Sequence, residues 1–163
     1  MDVPGRISVT TPLGFCLVIE ADGMNVRSAA FTKQKVRELD ARDPLLREAA
    51  AQVRAYFARK LEWFDLPLQF DGTPFENTVW RAVSQLGFGH FVSYAEVGRA
   101  IGHPRSHRGV AAAMGRTPID LFVPAHRVIG GDGTLKGCAP RSVRARLAAF
   151  EGLKVRRSGE ARP

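Results

Sequence analysis

The sequence predicts an α+β chain in two unequal halves, and three observations carry that expectation. Residues 6–31 fall into three short apolar-rich runs separated by Thr11-Pro12-Leu13-Gly14 and Asp22-Gly23, the pattern of a small antiparallel sheet. Residues 43–61 then repeat apolar side chains at helical spacing behind an Asp-Pro start. From residue 73 onward, helix starts and glycine stops follow one another closely, so the second half reads as mainly helical.

Taking the elements in order, the strands are expected at Arg6–Thr10, Phe15–Ala21 and Met24–Phe31, with Asp22-Gly23 as a tight hairpin turn. Cys16 lies in the apolar FCLVIE run and reads as a buried small hydrophobe. A polar connection over 32–42 leads to Asp43 as N-cap and Pro44 at the first helical position. Leu45, Leu46, Ala49, Val53, Tyr56, Phe57 and Leu61 give that helix one apolar face through about Leu61. Pro67 and Asp71-Gly72 mark an exit, which sets an N-terminal domain of residues 1–68 and a C-terminal domain of 69–163.

The C-terminal half opens with Thr73 and Glu76 spaced as a capping box around Pro74. Phe75, Val79, Val83 and Leu86 form its core-facing stripe, with Trp80 beside it, and Gly87 and Gly89 end it. Ser93 and Glu96 repeat the start signal for a short helix, Tyr94–Ile101, stopped at Gly102. Pro104 is read as beginning another helix, which runs to about Gly115 before Thr117-Pro118. Two short helices joined by a glycine-containing turn make a helix-turn-helix pattern, which DNA-binding and buried helix pairs share. His103 and His107 stand four apart, but no Cys, Asp or Glu lies nearby to complete a metal site, so a metal is not expected. Val143, Leu147 and Phe150 mark a last amphipathic helix ending at Glu151-Gly152.

Composition bounds the function. The chain has 163 residues, 45% hydrophobic and 25% charged, values of a soluble globular protein with a sizeable core. There is no apolar run of about 18 residues, so no membrane span is expected. The start MDVPGRISV lacks a signal-peptide pattern. Cys16 and Cys138 have no metal-ligand spacing, which fits a reduced cytoplasmic protein without structural zinc, and no cofactor is expected. Residues 1–68 carry 10 Lys+Arg against 9 Asp+Glu, whereas residues 69–163 carry 14 against 7. That basic second half is expected to meet a polyanion, nucleic acid above all.

The stretch LFVPAHRVIGGDGTLKG, residues 121–137, reads as a buried strand, a Pro-Ala-His-Arg turn, a second short strand and a Gly-Asp-Gly loop. A His flanked by Pro and Arg behind an apolar run has the look of a site, yet Ala125 supplies only a methyl group.

Five motifs in order, GTPFENTVW, VSYAEVGRAIG, RGVAAAMGRTP, VPAHRVIGGDGTLKG and LAAFEG, resemble the O6-alkylguanine-DNA alkyltransferase family (methylated-DNA–protein-cysteine methyltransferases). The resemblance covers nearly the whole chain and is strongest over 70–152. It implies a ribonuclease H-like N-terminal domain and a C-terminal domain with a winged helix-turn-helix. The family reads Pro-Cys-His-Arg-Val where this chain reads Pro124-Ala125-His126-Arg127-Val128. In the family that Cys takes the alkyl group from a flipped guanine, helped by the following His and a Glu near the C-terminus, here His126 and Glu151. Alanine cannot attack, so ordinary transfer at 125 is impossible.

Several readings follow. Alkyltransferase-like members of the family lack the Cys, bind the lesion without repairing it and hand it to nucleotide excision repair. Alternatively, the chain is an engineered Cys-to-Ala form of an active enzyme, or the acceptor has moved to Cys138. Thr117, where the family usually has Asn beside the Cys–His network, is a second departure and favours the alkyltransferase-like reading. A plain lesion-independent DNA-binding regulator is the rival from another class.

The resemblance further implies Arg108 as a finger filling the base stack and Tyr94 as the residue pressing on a phosphate. Gly109, Ala112 and Ala113 would be the groove-facing side of the second helix, with Arg105 and Arg116 as further DNA contacts. The lesion pocket would comprise Val123, Pro124, Ala125, Val128 and the loop Lys136, Gly137, Cys138, Ala139 and Pro140. The implied partner is double-stranded DNA containing O6-alkylguanine, the implied state a monomer, and the implied location the bacterial cytoplasm at the nucleoid.

Overall fold

The computed structural model describes residues 5–34, 36, 42–135, 138–139 and 141–153. Strands β1 (Gly5–Thr10), β2 (Cys16–Ala21) and β3 (Val26–Thr32) form an antiparallel meander in that order, with Ile7 opposite Ile19 and Ile19 opposite Ala29. The hairpin is wider than a tight turn. Asp22 accepts hydrogen bonds from the amides of Met24 (3.0 Å) and Asn25 (2.8 Å), so β3 begins two residues later than expected.

Helix α1 (Pro44–Phe57) covers one face of this sheet with Leu46, Ala49, Ala50, Val53 and Tyr56, all buried. Asp43 caps it as expected, its carboxylate accepting from the Leu45 amide at 2.8 Å. It stops at Phe57 rather than near Leu61, because Arg59 adopts a left-handed conformation (φ 59). The side chain of Arg59 then donates to the Phe150 carbonyl (3.0 Å) and stacks over the Phe150 ring, 4.2 Å from its centroid.

Helix α2 (Pro74–Val83) and helix α3 (Tyr94–Ala100) both start with the capping boxes read from the sequence. The segment between them contributes β4 (Val92–Ser93), which pairs in parallel with β5 (Val128–Ile129). Helix α4 spans His107–Gly115, so Pro104 does not begin it. The Ser106 amide closes a turn on the His103 carbonyl (3.1 Å) instead, and Arg105 therefore sits in the inter-helix turn. Gly98 of α3 packs under this turn so tightly that a Cβ there would lie 2.8 Å from the His103 carbonyl oxygen. Helix α5 (Val143–Phe150) closes the domain.

The expected strand at 121–124 is displaced. The edge of β3 captures the chain earlier: the Ala29 amide donates to Pro118 (3.1 Å) and the Asp120 amide to Ala29 (2.8 Å). Leu121 then turns at φ 69, and Ala125–Arg127 form a single 3-10 turn leading into β5. A second parallel bridge, Val26 to Leu68, joins β3 to the segment between the halves. One continuous apolar core runs from the sheet through α1 to the helices and the 3-10 turn.

Candidate functional site

Glu151, the C-cap of α5, is the centre of a buried polar network. Its carboxylate accepts from Arg127 Nε (2.7 Å) and Nη2 (3.0 Å), from the Gly89 amide (2.8 Å), from the Tyr56 hydroxyl (2.5 Å) and from His126 Nε2. Gly89 can present its amide here because it holds φ 74, a conformation costly for other residues. Arg127 also donates to the Leu86 carbonyl at 2.5 Å. Burial alone would raise the Glu151 pKa, but the hydrogen bonds from His126 and Arg127 prevail and hold it below the usual carboxylate range. Burial pushes the His126 pKa below its ordinary value, Arg127 and Arg144 push the same way, and Glu151 only partly opposes them. His126 is therefore a neutral imidazole whose Nε2–H donates to Glu151, which leaves Nδ1 as the basic nitrogen. Burial and then the Glu151 charge raise the Tyr56 pKa, so the phenol stays a donor.

The sequence singled out His126 and Glu151, and the fold brings them into contact. It did not single out Tyr56, Arg127 or Gly89. Tyr56 reads as one more apolar position on the α1 stripe, and nothing local marks the Arg127 side chain as buried.

Ala125 opens the 3-10 turn next to this network and is 8% exposed. Its methyl lines a cavity of about 210 Å³ with Phe31, Leu121, Val123, Val143 and Leu147. Asp120, His126 and Arg144 supply the polar wall. Of the expected pocket residues, Val123 and Ala125 line this cavity. Pro124 and Val128 do not: Pro124 is buried behind the turn, and Val128 is fully buried against Val92 in the β4–β5 pair. Cys138 is half-buried and Ala139 exposed, and neither lines the cavity; Lys136, Gly137 and Pro140 lie outside the described residues. Thr117, just past the end of α4, has its hydroxyl oxygen buried without a hydrogen-bond partner among the described residues.

On the helix-turn-helix, Arg108 and Ala112 are exposed on α4, Arg105 is exposed in the turn before it, and Tyr94 is half-buried at the first position of α3. Two expected groove-facing residues point the other way. Ala113 is fully buried, its carbonyl accepting from Trp80 Nε1 at 2.8 Å, and a Cβ on Gly109 would lie 3.2 Å from the Phe75 ring. These small residues let α4 pack closely on α2, and the outward face is carried by Arg108, Ala111, Ala112 and Gly115. Arg116 is exposed but paired with Glu76 at 2.9 Å, which ties the end of α4 to the start of α2. Among the described residues no group of His, Cys, Asp and Glu is arranged to hold a metal ion, and no helix is long and apolar enough to cross a membrane.

Comparison with known proteins gives consistent matches. Residues 7–70 match the ribonuclease-like domain of 6-O-methylguanine DNA methyltransferase, and residues 74–153 match its DNA-binding domain. The methylated-DNA–protein-cysteine methyltransferase of Methanosarcina acetivorans is 36% identical over 133 residues, covering 79% of this chain and 85% of that protein. Its counterpart in Methanosarcina barkeri is 48% identical over 93 residues, a stretch spanning 57% of this chain and 59% of that protein. Among solved structures, the Mycobacterium tuberculosis O6-methylguanine methyltransferase superposes with a TM-score of 0.78 at 30% identity, covering 93% of this chain and 92% of the other. The OGT of that organism in complex with DNA gives 0.75 at 34% identity, with 88% and 90% covered. With both halves matched in order and the same fold throughout, this chain belongs to the 6-O-methylguanine DNA methyltransferase family.

Proposed function

We propose that the chain binds O6-alkylguanine in duplex DNA without taking the alkyl group, and that the held lesion is passed to nucleotide excision repair. The observation that carries this is the pairing of Ala125 with an intact His126–Glu151–Arg127 network. Transfer requires a nucleophile to attack the alkyl carbon while guanine leaves with its O6 electrons. A methyl side chain has no electron pair to offer. Cys16 is buried in β2, and Cys138 is outside the lining of the Ala125 cavity. The basic nitrogen of His126 is therefore retained with nothing to deprotonate.

Reaching O6 requires the base to leave the stack, at a cost of about a few kcal/mol. The exposed Arg108 on α4 and Tyr94 at the start of α3 are the residues proposed to offset it, by filling the gap and by pressing on the backbone. Phosphate contacts from the basic C-terminal half make the binding fall with salt. The test is a titration of matched duplexes containing guanine or O6-methylguanine, with intact mass measured afterwards. Tighter binding of the lesion duplex with unchanged protein mass supports the reading. Equal affinity points to a lesion-independent DNA binder, and a mass increase mapping to Cys138 points to a relocated acceptor.

The second reading, a disarmed enzyme with Ala in place of Cys, is favoured by the completeness of the network. Thr117, where the resemblance expects Asn, counts against it, because a disarmed enzyme would keep everything except its nucleophile.

A further inference from the structure

The cavity beside Ala125 holds more than a methyl group needs. At about 210 Å³ it exceeds the ~150 Å³ at which an apolar protein cavity admits benzene. Beside His126, two residues of its polar wall come from segments outside the helix-turn-helix. Asp120 is fixed at the edge of β3 through its amide bond to Ala29 (2.8 Å), and its carboxylate accepts the Phe31 amide. Arg144 comes from α5 and, among the described residues, donates from Nη2 to the Met114 carbonyl at 3.2 Å. A guanidinium carries five N–H donors, more than that bond uses. The two charges lie close enough that Arg144 lowers the Asp120 pKa, against the larger effect of burial, which raises it.

A carboxylate beside a guanidinium offers an acceptor and a donor together with little net charge. An ammonium is repelled by Arg144 and a carboxylate by Asp120, while an alkyl end desolvates both without bonding either. A hydroxyl both donates and accepts, so it satisfies the pair without bringing a charge. With the O6 substituent of the flipped base entering this cavity, we propose that Asp120 and Arg144 select substituents that end in a hydroxyl. This rests on the lesion-binding reading, since it places the substituent where the family's acceptor position, Ala125, lines the cavity.

The experiment compares three duplexes identical except for one base: guanine, O6-butylguanine and O6-(3-hydroxypropyl)guanine, the last two of nearly equal size. Fluorescence anisotropy is read for the wild-type chain and for Arg144→Met and Asp120→Asn. The hydroxypropyl duplex is expected to bind roughly threefold to tenfold tighter than the butyl duplex, the worth of one or two buried hydrogen bonds. Arg144→Met is expected to erase that difference while both adducts remain above guanine, and Asp120→Asn to reduce it. Equal wild-type affinity for the two adducts, both above guanine, overturns the selectivity and leaves lesion binding standing. Neither adduct exceeding guanine overturns both.

Discussion

Replacing Glu151 with Gln tests the network where it is most concentrated. The change preserves volume, so no cavity opens, and the effect isolates charge and hydrogen bonding. Arg127 and Glu151 side chains are 2% and 0% exposed. Removing the carboxylate charge strands a buried guanidinium, which costs about 3–5 kcal/mol. Gln also brings an NH2 group toward a ring of donors: Tyr56, His126, Arg127 and the Gly89 amide. At roughly 2–4 °C per kcal/mol for a chain of this size, the midpoint should drop by about 6–20 °C. Tyr56→Phe removes one bond to a charged acceptor and should cost about 1.5–3 kcal/mol. Because the two residues share that bond, the double variant should lose less than the sum of the singles. Denaturant unfolding followed through the buried Trp80 reads all four proteins. Glu151→Gln within about 1 kcal/mol of wild type, or strict additivity with Tyr56→Phe, would refute the account of a single coupled network.

Three further outcomes are expected. Stability should hold above pH 6.5, the ordinary His value, and fall as pH drops through it, because buried His126 resists a proton that the unfolded chain accepts. It should fall again below 4.5, where unfolded Glu151 is protonated and the native carboxyl is not, with Asp120 acting in the opposite sense because its pKa is raised; denaturant midpoints across pH check both steps. Ala125→Cys should gain one alkyl group per molecule from O6-methylguanine DNA, slowly, and adding Thr117→Asn should speed it; time-resolved intact mass checks this, and no gain in either variant would show that the site is built against transfer. Gly98→Ala should cost about 1–3 kcal/mol through the 2.8 Å approach to the His103 carbonyl, and should weaken DNA binding by shifting α4; unfolding and anisotropy measure the two effects.

What could be read from the sequence was what neighbouring residues decide among themselves. The capping boxes at Thr73/Glu76 and Ser93/Glu96 form as read, because the side chain and the amide it serves are three residues apart. Boundaries set by distant partners differ from what the local sequence implies. Helix α1 ends early because Arg59 reaches Phe150, α4 starts late because its turn is wedged against Gly98, and the 121–124 strand moved because β3 offered a free edge to Pro118–Asp120. The site divides in the same way. His126 and Glu151 were found by resemblance, and Ala125 by what it lacks. Tyr56 was hidden in an apolar stripe, and Asp120 and Arg144 stand 24 positions apart in unremarkable settings. Of the small residues of α4, Gly109 and Ala113 pack toward the neighbouring helix, and Ala112 lies on the exposed side.

The Glu151 network also fixes when the molecule can be finished. Its carboxylate meets Tyr56 across 95 residues and Gly89 across 62, and its nearest side-chain partners, His126 and Arg127, lie 25 and 24 positions back. Every partner leaves the ribosome before Glu151 does. Until that residue arrives, the Arg127 guanidinium has no counter-charge and the 3-10 turn holding Ala125 has no anchor. The C-terminal half is therefore closed by a long-range step that also draws in α1 through Tyr56. A chain cut short of α5 would retain its basic surface without the carboxylate that ties His126 and Arg127 together.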